Sequence, residues 1–222
     1  MLAALVAHPR AGALIRIRTF NQQPDQGYSW ASVTGSRRSS VDSFVRAVAL
    51  LRDKVESFDR YPFSIPAIRA LEALDLHPQV TFFVGENGSG KSTLVEAIAI
   101  AAGFNAEGGR RNFNFATRRS ESELHTVLRL VRGVRRPKSG YFLRAESYFN
   151  VATEVDANPD ALASHGGRSL HEQSHGESFL ALVQNRFDPS GLYILDEPEA
   201  ALSPQRQLSF LVRRLLGDGN RS

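Results

Sequence analysis

One stretch limits the fold of this chain more than any other. Gly85–Ser92 reads Gly-Glu-Asn-Gly-Ser-Gly-Lys-Ser, the spacing G-x-x-x-x-G-K-[ST]. Val80, Phe82, Phe83 and Val84 precede it, and the helix formers of Leu94–Ala102 follow it. Strand, glycine-rich turn and helix in that order make a phosphate-binding P-loop. Glycines let successive backbone N–H groups turn toward an anion, and a helix N-terminus adds partial positive charge at the same place. On this reading Gly85, Glu86, Asn87, Gly88, Ser89, Gly90, Lys91, Ser92 and Thr93 hold the phosphates of ATP. Lys91 reaches the β- and γ-phosphates and Ser92 binds Mg²⁺.

A second apolar run, Gly191–Leu195, ends in Asp196-Glu197-Pro198-Glu199. In α/β sheets ligands bind beyond the carboxyl ends of the strands. Asp196 is therefore expected to face the Mg²⁺ on Ser92, the Walker-B role. Glu197 is placed to polarise a water in line with the γ-phosphate, which makes it, with Lys91, the expected catalytic pair. Between the two motifs lies Ser174-His175-Gly176-Glu177-Ser178, ahead of the apolar run Phe179–Val183. Ser174 and Glu177 have capping-box spacing, which predicts a helix start there. By itself that pattern is a helix cap and nothing more.

The rest of the chain is read around these motifs. With 222 residues, 42% of them hydrophobic, it can bury one sizeable core, so one α/β domain with an embellishment is expected. No apolar run reaches membrane-spanning length. Met1–Ala7 is apolar but has no basic region before it, and His8-Pro9-Arg10 breaks it, unlike a secretory signal. Absence of cysteine excludes disulfides, thiolate metal sites and cysteine nucleophiles, and it fits a cytoplasmic protein. Leu14–Arg18 alternates like a half-buried strand, and Gly27–Ser40, rich in Gly, Ser and Arg, reads as a loop. Val41, Phe44, Val45, Val48, Leu51, Val55 and Phe58 recur at helical spacing and predict an amphipathic helix over Val41–Phe58. Pro62 and Pro66 bracket a short extended piece, Phe63–Ile65. The expected division is an N-terminal segment, 1–60, made of strand, loop and amphipathic helix, and an ATPase domain, 61–222.

A basic insertion, about 104–140, interrupts that domain. It carries Arg110, Arg111, Arg118, Arg119, Arg129, Arg132, Arg135, Arg136 and Lys138 against Glu107, Glu121 and Glu123. Leu124, Val127, Leu128 and Val131 predict a short helix inside it. Such a cluster is either a solvated face or a contact for an anionic partner such as DNA. No base-reading motif accompanies it, so any contact would be to backbone phosphates. Tyr141–Ala145 reads as a strand, Ser147–Val155 as a helix and Asn158–Arg168 as a loop. His8, His77, His125, His165 and His171 have no metal-ligand spacing.

Together the phrases Phe82–Thr93, Ser169–Leu182 and Leu192–Pro204 resemble a soluble, non-transporter ABC-type ATPase. The branch is that of SMC and RecF, and in particular its compact bacterial members labelled as AAA-type predicted ATPases. The resemblance runs from about Tyr61 to the C-terminus. It implies a P-loop NTPase fold: a mostly parallel sheet flanked by helices, with a short helical lid. It also implies a homodimer that sandwiches two ATPs, each P-loop meeting the signature helix of the other protomer. Ser174, Gly176 and Glu177 would then contact ATP on the partner chain, with His175 close by, and Ala200–Ser203 would be the loop crossing the interface. Such ATPases drive a nucleic acid or a partner protein of unknown identity here, so DNA repair or phage defence is the implied setting.

The chain departs from the family pattern in three places. Its signature is S-H-G-E-S. No glutamine stands between Lys91 and Gln173, and Glu146 is the nearest replacement for the family's Q-loop residue. No histidine follows His175, so the family's last strand and switch histidine are missing, as in a shortened or altered member. The alternative readings are the ATP-binding subunit of a transporter and a truncated, non-catalytic nucleotide-binding module.

Overall fold

The structure is a computed structural model. It describes residues 2–7, 15–23, 27–32, 43–106, 108–109, 122–144, 169 and 190–197, the first three ranges by the course of the backbone. Nine strands and two α-helices fall within these residues. They are β1 (Leu2–Ala7), β2 (Ile15–Gln23), β3 (Gly27–Ser32), β4 (Val45–Leu50), α1 (Pro66–Arg69), β5 (Ala73–Asp75), β6 (Val80–Val84), α2 (Lys91–Ala102), β7 (Leu128–Arg132), β8 (Ser139–Arg144) and β9 (Gly191–Asp196).

Six strands form one sheet in the order β3-β2-β6-β1-β9-β8. β2, β6, β9 and β8 run the same way, while β1 and β3 run against them. Among the described residues the sheet is therefore mixed rather than mostly parallel: only the β2–β6 and β8–β9 pairs there are parallel. What matters for a ligand is preserved, because the carboxyl ends of β6 and β9 lie on one edge. Leu2 of β1 faces Val84 on one side, and the next residue, Ala3, faces Asp196 on the other. With strands about 4.8 Å apart, one intervening strand sets these two ends roughly 10 Å from each other.

The strands in the middle carry the composition that burial on both faces demands. All six residues of β9 are buried, as are Val80, Thr81, Phe82 and Phe83 of β6. Helix α2 is buried round most of its circumference, at Leu94, Val95, Ala97, Ile98, Ala99 and Ala102, so it is an internal helix rather than an amphipathic surface one. It ends in a Schellman turn. Gly103 takes φ 94°, its N–H reaches Ile100 O at 2.9 Å, and the N–H of Phe104 reaches Ala99 O at 3.0 Å. The helix packs on β1, β7 and β9, and Leu94, Ile98, Phe83, Phe142, Ile68, Leu71 and Leu124 share one apolar core.

The second sheet, β5-β4-β7, corrects the helix expected over Val41–Phe58. β4 occupies its centre, paired antiparallel with β5 on one side and β7 on the other. A single 3₁₀ turn, Arg52–Lys54, follows it. The helical spacing of Val45, Val48 and Leu51 is real, but the run Val45–Leu50 is also dense enough in apolar residues for a central strand. Two neighbouring strands satisfy its backbone groups, and that pairing overrides the local pattern. Three smaller expectations change likewise. Gly27–Ser32 is strand rather than loop, paired to β2 with Trp30 opposite Phe20. The helix expected around Leu124–Val131 is a 3₁₀ turn, Glu123–Val127, that runs straight into β7. Phe63–Ile65 is turned rather than extended: after a cis Tyr61–Pro62 peptide, Ser64 N–H donates to Arg60 O and Ile65 N–H to Pro62 O. Both sheets draw strands from either side of residue 60. Among the described residues no helix is long and apolar enough to cross a membrane.

Candidate functional site

The turn between β6 and α2 is held open by its glycines and closed by its lysine. Gly88 and Gly90 take φ of 75° and 91°, values that side chains with a Cβ rarely adopt. Gly90 has a second constraint: a Cβ there would lie 2.6 Å from the Cγ2 atom of Ile65. It stands at the N-cap of α2, where no side chain caps the helix, so the first N–H groups of α2 have no partner within the helix. Lys91 is 4% exposed. Its ammonium donates to Gly85 O at 2.8 Å, to Glu86 O at 2.5 Å and to Ser89 Oγ at 3.2 Å. The lysine thus ties the two ends of its own loop together.

Across the sheet edge, Asp196 is buried and Glu197 half-buried. Glu197 has φ 54°, a left-handed conformation that costs about 1–2 kcal/mol for a residue with a side chain. It lines a cleft of about 330 Å³ together with Asn87, Gly88, Gly90, Lys91, Ser92 and Thr93. That volume falls at the lower end of the range for small-molecule clefts. Residues more than a hundred positions apart thus meet in one place, with backbone donors and a cation on one side and a carboxylate on the other.

Residues 61–157 match the AAA domain family model. The chain is also similar to the DNA replication and repair protein RecF of Colwellia psychrerythraea, at 65% identity over 26 residues. That stretch is 12% of this chain and 7% of the relative. No solved structure matches the chain. Both likenesses, the AAA domain and the RecF fragment, point to a P-loop ATPase of the SMC/RecF type as what this part of the chain is similar to.

Two residues of the cleft lining escape a motif-based reading. Tyr61 and Ile65 complete the lining from the turn before α1. Tyr61 is 63% exposed, one of two large apolar side chains so exposed among the described residues. The prolines at 62 and 66 mark a turn in the sequence, but nothing in them says that the turn rests on Gly90. The turn is braced by surface ion pairs, Arg60 with Glu56 at 3.0 Å and Arg69 with Asp59 at 3.0 Å. A buried ion pair was also unforeseen: Arg144 Nη1 lies 2.7 Å from Glu96 Oε2.

Mg²⁺ is implied by the likeness to AAA domains. The oxygen donors here, the Ser92 hydroxyl at the start of α2 and the Asp196 carboxylate at the end of β9, suit that hard cation. Mg²⁺ is commonly bound by one or two protein oxygens together with substrate phosphates. Among the described residues no cluster of three or more His, Asp or Glu forms a cage, and this kind of Mg²⁺ site needs none. Ser174, His175, Gly176, Glu177, Glu146 and the 200–203 loop lie outside the described residues, as do Arg110, Arg111, Arg118 and Arg119. Of the basic stretch, Arg129, Arg132, Arg135, Arg136 and Lys138 are described, and all are exposed, on β7 and the turn after it.

Proposed function

We propose that the chain binds ATP with Mg²⁺ and hydrolyses it to ADP and phosphate, working as an ATP-sandwiched homodimer in contact with DNA. The observation that carries this reading is the shared cleft of Glu197 with Lys91, Ser92 and Thr93. The β- and γ-phosphates of ATP would lie along the turn Gly85–Thr93, accepting hydrogen bonds from backbone N–H groups at the start of α2. Lys91 is already aimed into the loop, so its ammonium would exchange carbonyl partners for phosphate oxygens with little movement. Ser92 and Asp196 would hold Mg²⁺, which when bound offsets the charge of the phosphate oxygens. Glu197 accepts a proton from a water whose oxygen attacks the γ-phosphorus, as the bond to the β–γ bridging oxygen breaks. Ser174, Gly176 and Glu177 would close over the nucleotide of the other protomer, following the family's arrangement. DNA backbone phosphates would meet the basic stretch Arg110–Lys138. A cytoplasmic role in DNA repair or phage defence, with a further protein partner, fits the similarity to RecF.

The test is phosphate release from ATP, with and without double-stranded DNA, beside Glu197→Gln. Turnover in the wild type, lost in the variant while ATP stays bound in a dimer, supports the reading. ATP binding with no turnover above a Lys91→Ala control would leave a nucleotide-binding module.

A further inference from the structure

The Glu96–Arg144 pair joins the two sides of the cleft from behind. Glu96 is one helical turn after Ser92 on α2. Residues four apart share a helix face, about 6 Å along its axis. Arg144 ends β8 and is the register partner of Asp196 on β9. Register partners on adjacent strands project from the same face about 4.8 Å apart, and here that face is the one turned to α2, since Arg144 reaches Glu96. The ion pair therefore runs beside the line from Ser92 to Asp196, its Glu96 end one helical turn further along α2 and its Arg144 end level with Asp196.

The pair is mostly buried and held on both sides. Side-chain exposure is 17% for Arg144 and 10% for Glu96. Arg144 Nη1 also donates to Ala106 O at 3.2 Å, and Glu96 Oε1 accepts from Ser122 N–H at 3.4 Å. Gly109 and Phe142 exchange backbone hydrogen bonds beside it, at 2.7 and 3.0 Å. A buried ion pair adds little net stability over an apolar pair of similar size. What it does supply is a fixed distance and angle between the elements it joins.

We propose that Glu96 and Arg144 are positioning residues which set the Ser92 hydroxyl against the Asp196 carboxylate, and so set the hold of the site on Mg²⁺. This rests on the ATP-site reading above. The test titrates a non-hydrolysable ATP analogue by calorimetry, once in Mg²⁺ and once in EDTA, against wild type, E96M/R144M and Arg144→Lys, with melting curves for each. The double variant replaces the pair by apolar side chains and avoids leaving one charge buried alone. It is expected to bind about tenfold more weakly in Mg²⁺ and within about twofold of wild type in EDTA. Arg144→Lys keeps the charge but loses the planar fork, and its loss in Mg²⁺ should fall between the two.

A double variant that matches wild type in both buffers, or weakens equally in both, overturns the positioning role while leaving the ATP site standing. A wild type with no Mg²⁺-dependent gain overturns the ATP-site reading and this proposal with it. Should E96M/R144M fail to melt cooperatively, Arg144→Lys decides alone, by the same split between buffers.

Discussion

The P-loop corner and the three-stranded sheet arise in different ways: one is dictated locally, the other by its neighbours. From Val80 to Ala102 the chain reads strand, turn, helix, and so it folds. Each step there has a local cause: aromatic and β-branched residues, then glycines at positive φ, then an apolar helix closed by a Schellman turn at Gly103. Val45–Leu50 has no such cause. Its spacing fits a helix, and it becomes the central strand of β5-β4-β7 because two strands far along the chain, Ala73–Asp75 and Leu128–Arg132, pair with it. The difference teaches where a motif is informative. A phosphate-binding turn needs unusual backbone angles and so leaves a residue-level mark, whereas a buried strand needs only apolar side chains and partners.

The strongest test of the local half is Lys91. Its ammonium gathers Gly85 O, Glu86 O and Ser89 Oγ. Lys91→Ala removes the cation and leaves those carbonyls without it, so ATP affinity should fall about a hundredfold or more, as read by calorimetry. Unchanged affinity would place the nucleotide elsewhere. Next in size is Gly90→Ala. The left-handed φ costs about 1–2 kcal/mol, and the Cβ contact with Ile65 at 2.6 Å adds about 1–3 kcal/mol. Urea unfolding should therefore show a loss of about 2–5 kcal/mol. Gly88→Ala is the control, since a Cβ there meets nothing within 4 Å, and it should lose only the conformational part. Equal losses at both glycines would mean that Ile65 does not rest on the loop.

For the non-local half the probe is Val48, fully buried between β5 and β7. Val48→Ala should cost about 1–3 kcal/mol through the lost methyl groups and the cavity they leave. Val48→Thr, similar in shape, should cost a similar amount by burying a hydroxyl. A loss below half a kcal/mol for both would return this stretch to the surface, where the helical spacing would have put it.

How far the site could be read beforehand follows the same line. The turn Gly85–Thr93 was legible because glycines needed at positive φ mark it in the sequence, and the fold does bring Glu197 to Lys91 in one cleft. Tyr61, Ile65 and the Glu96–Arg144 pair were not, since each acts through a contact between elements. A tyrosine beside proline and a glutamate inside an apolar helix have ordinary local explanations. β1 is a further case: seven apolar residues at the start of the chain do not announce a strand that runs antiparallel between β6 and β9.

The smallest expected effects belong to the exposed cations of β7 and the turn after it, where local pattern and non-local placement act together. Arg129, Arg136 and Lys138 are close in sequence, and the pairing of β7 with β4 puts Arg129 at the edge of a sheet, opposite Ala49. If they meet DNA phosphates, each releases counterions on binding, and each removal should flatten the slope of log affinity against log salt by about 0.9. Arg129→Gln, Arg136→Gln and Lys138→Gln together should therefore lower it by about 3, with little change between sequences because no base is read. The measurement is a salt titration of fluorescent duplex binding, in ATP and without it. An unchanged slope would make these residues a solvated face and confine any nucleic-acid contact to the arginines at 110–119. A slope change seen only with ATP would tie β7, the edge of the non-local sheet, to the state of the P-loop corner that α2 packs beside it.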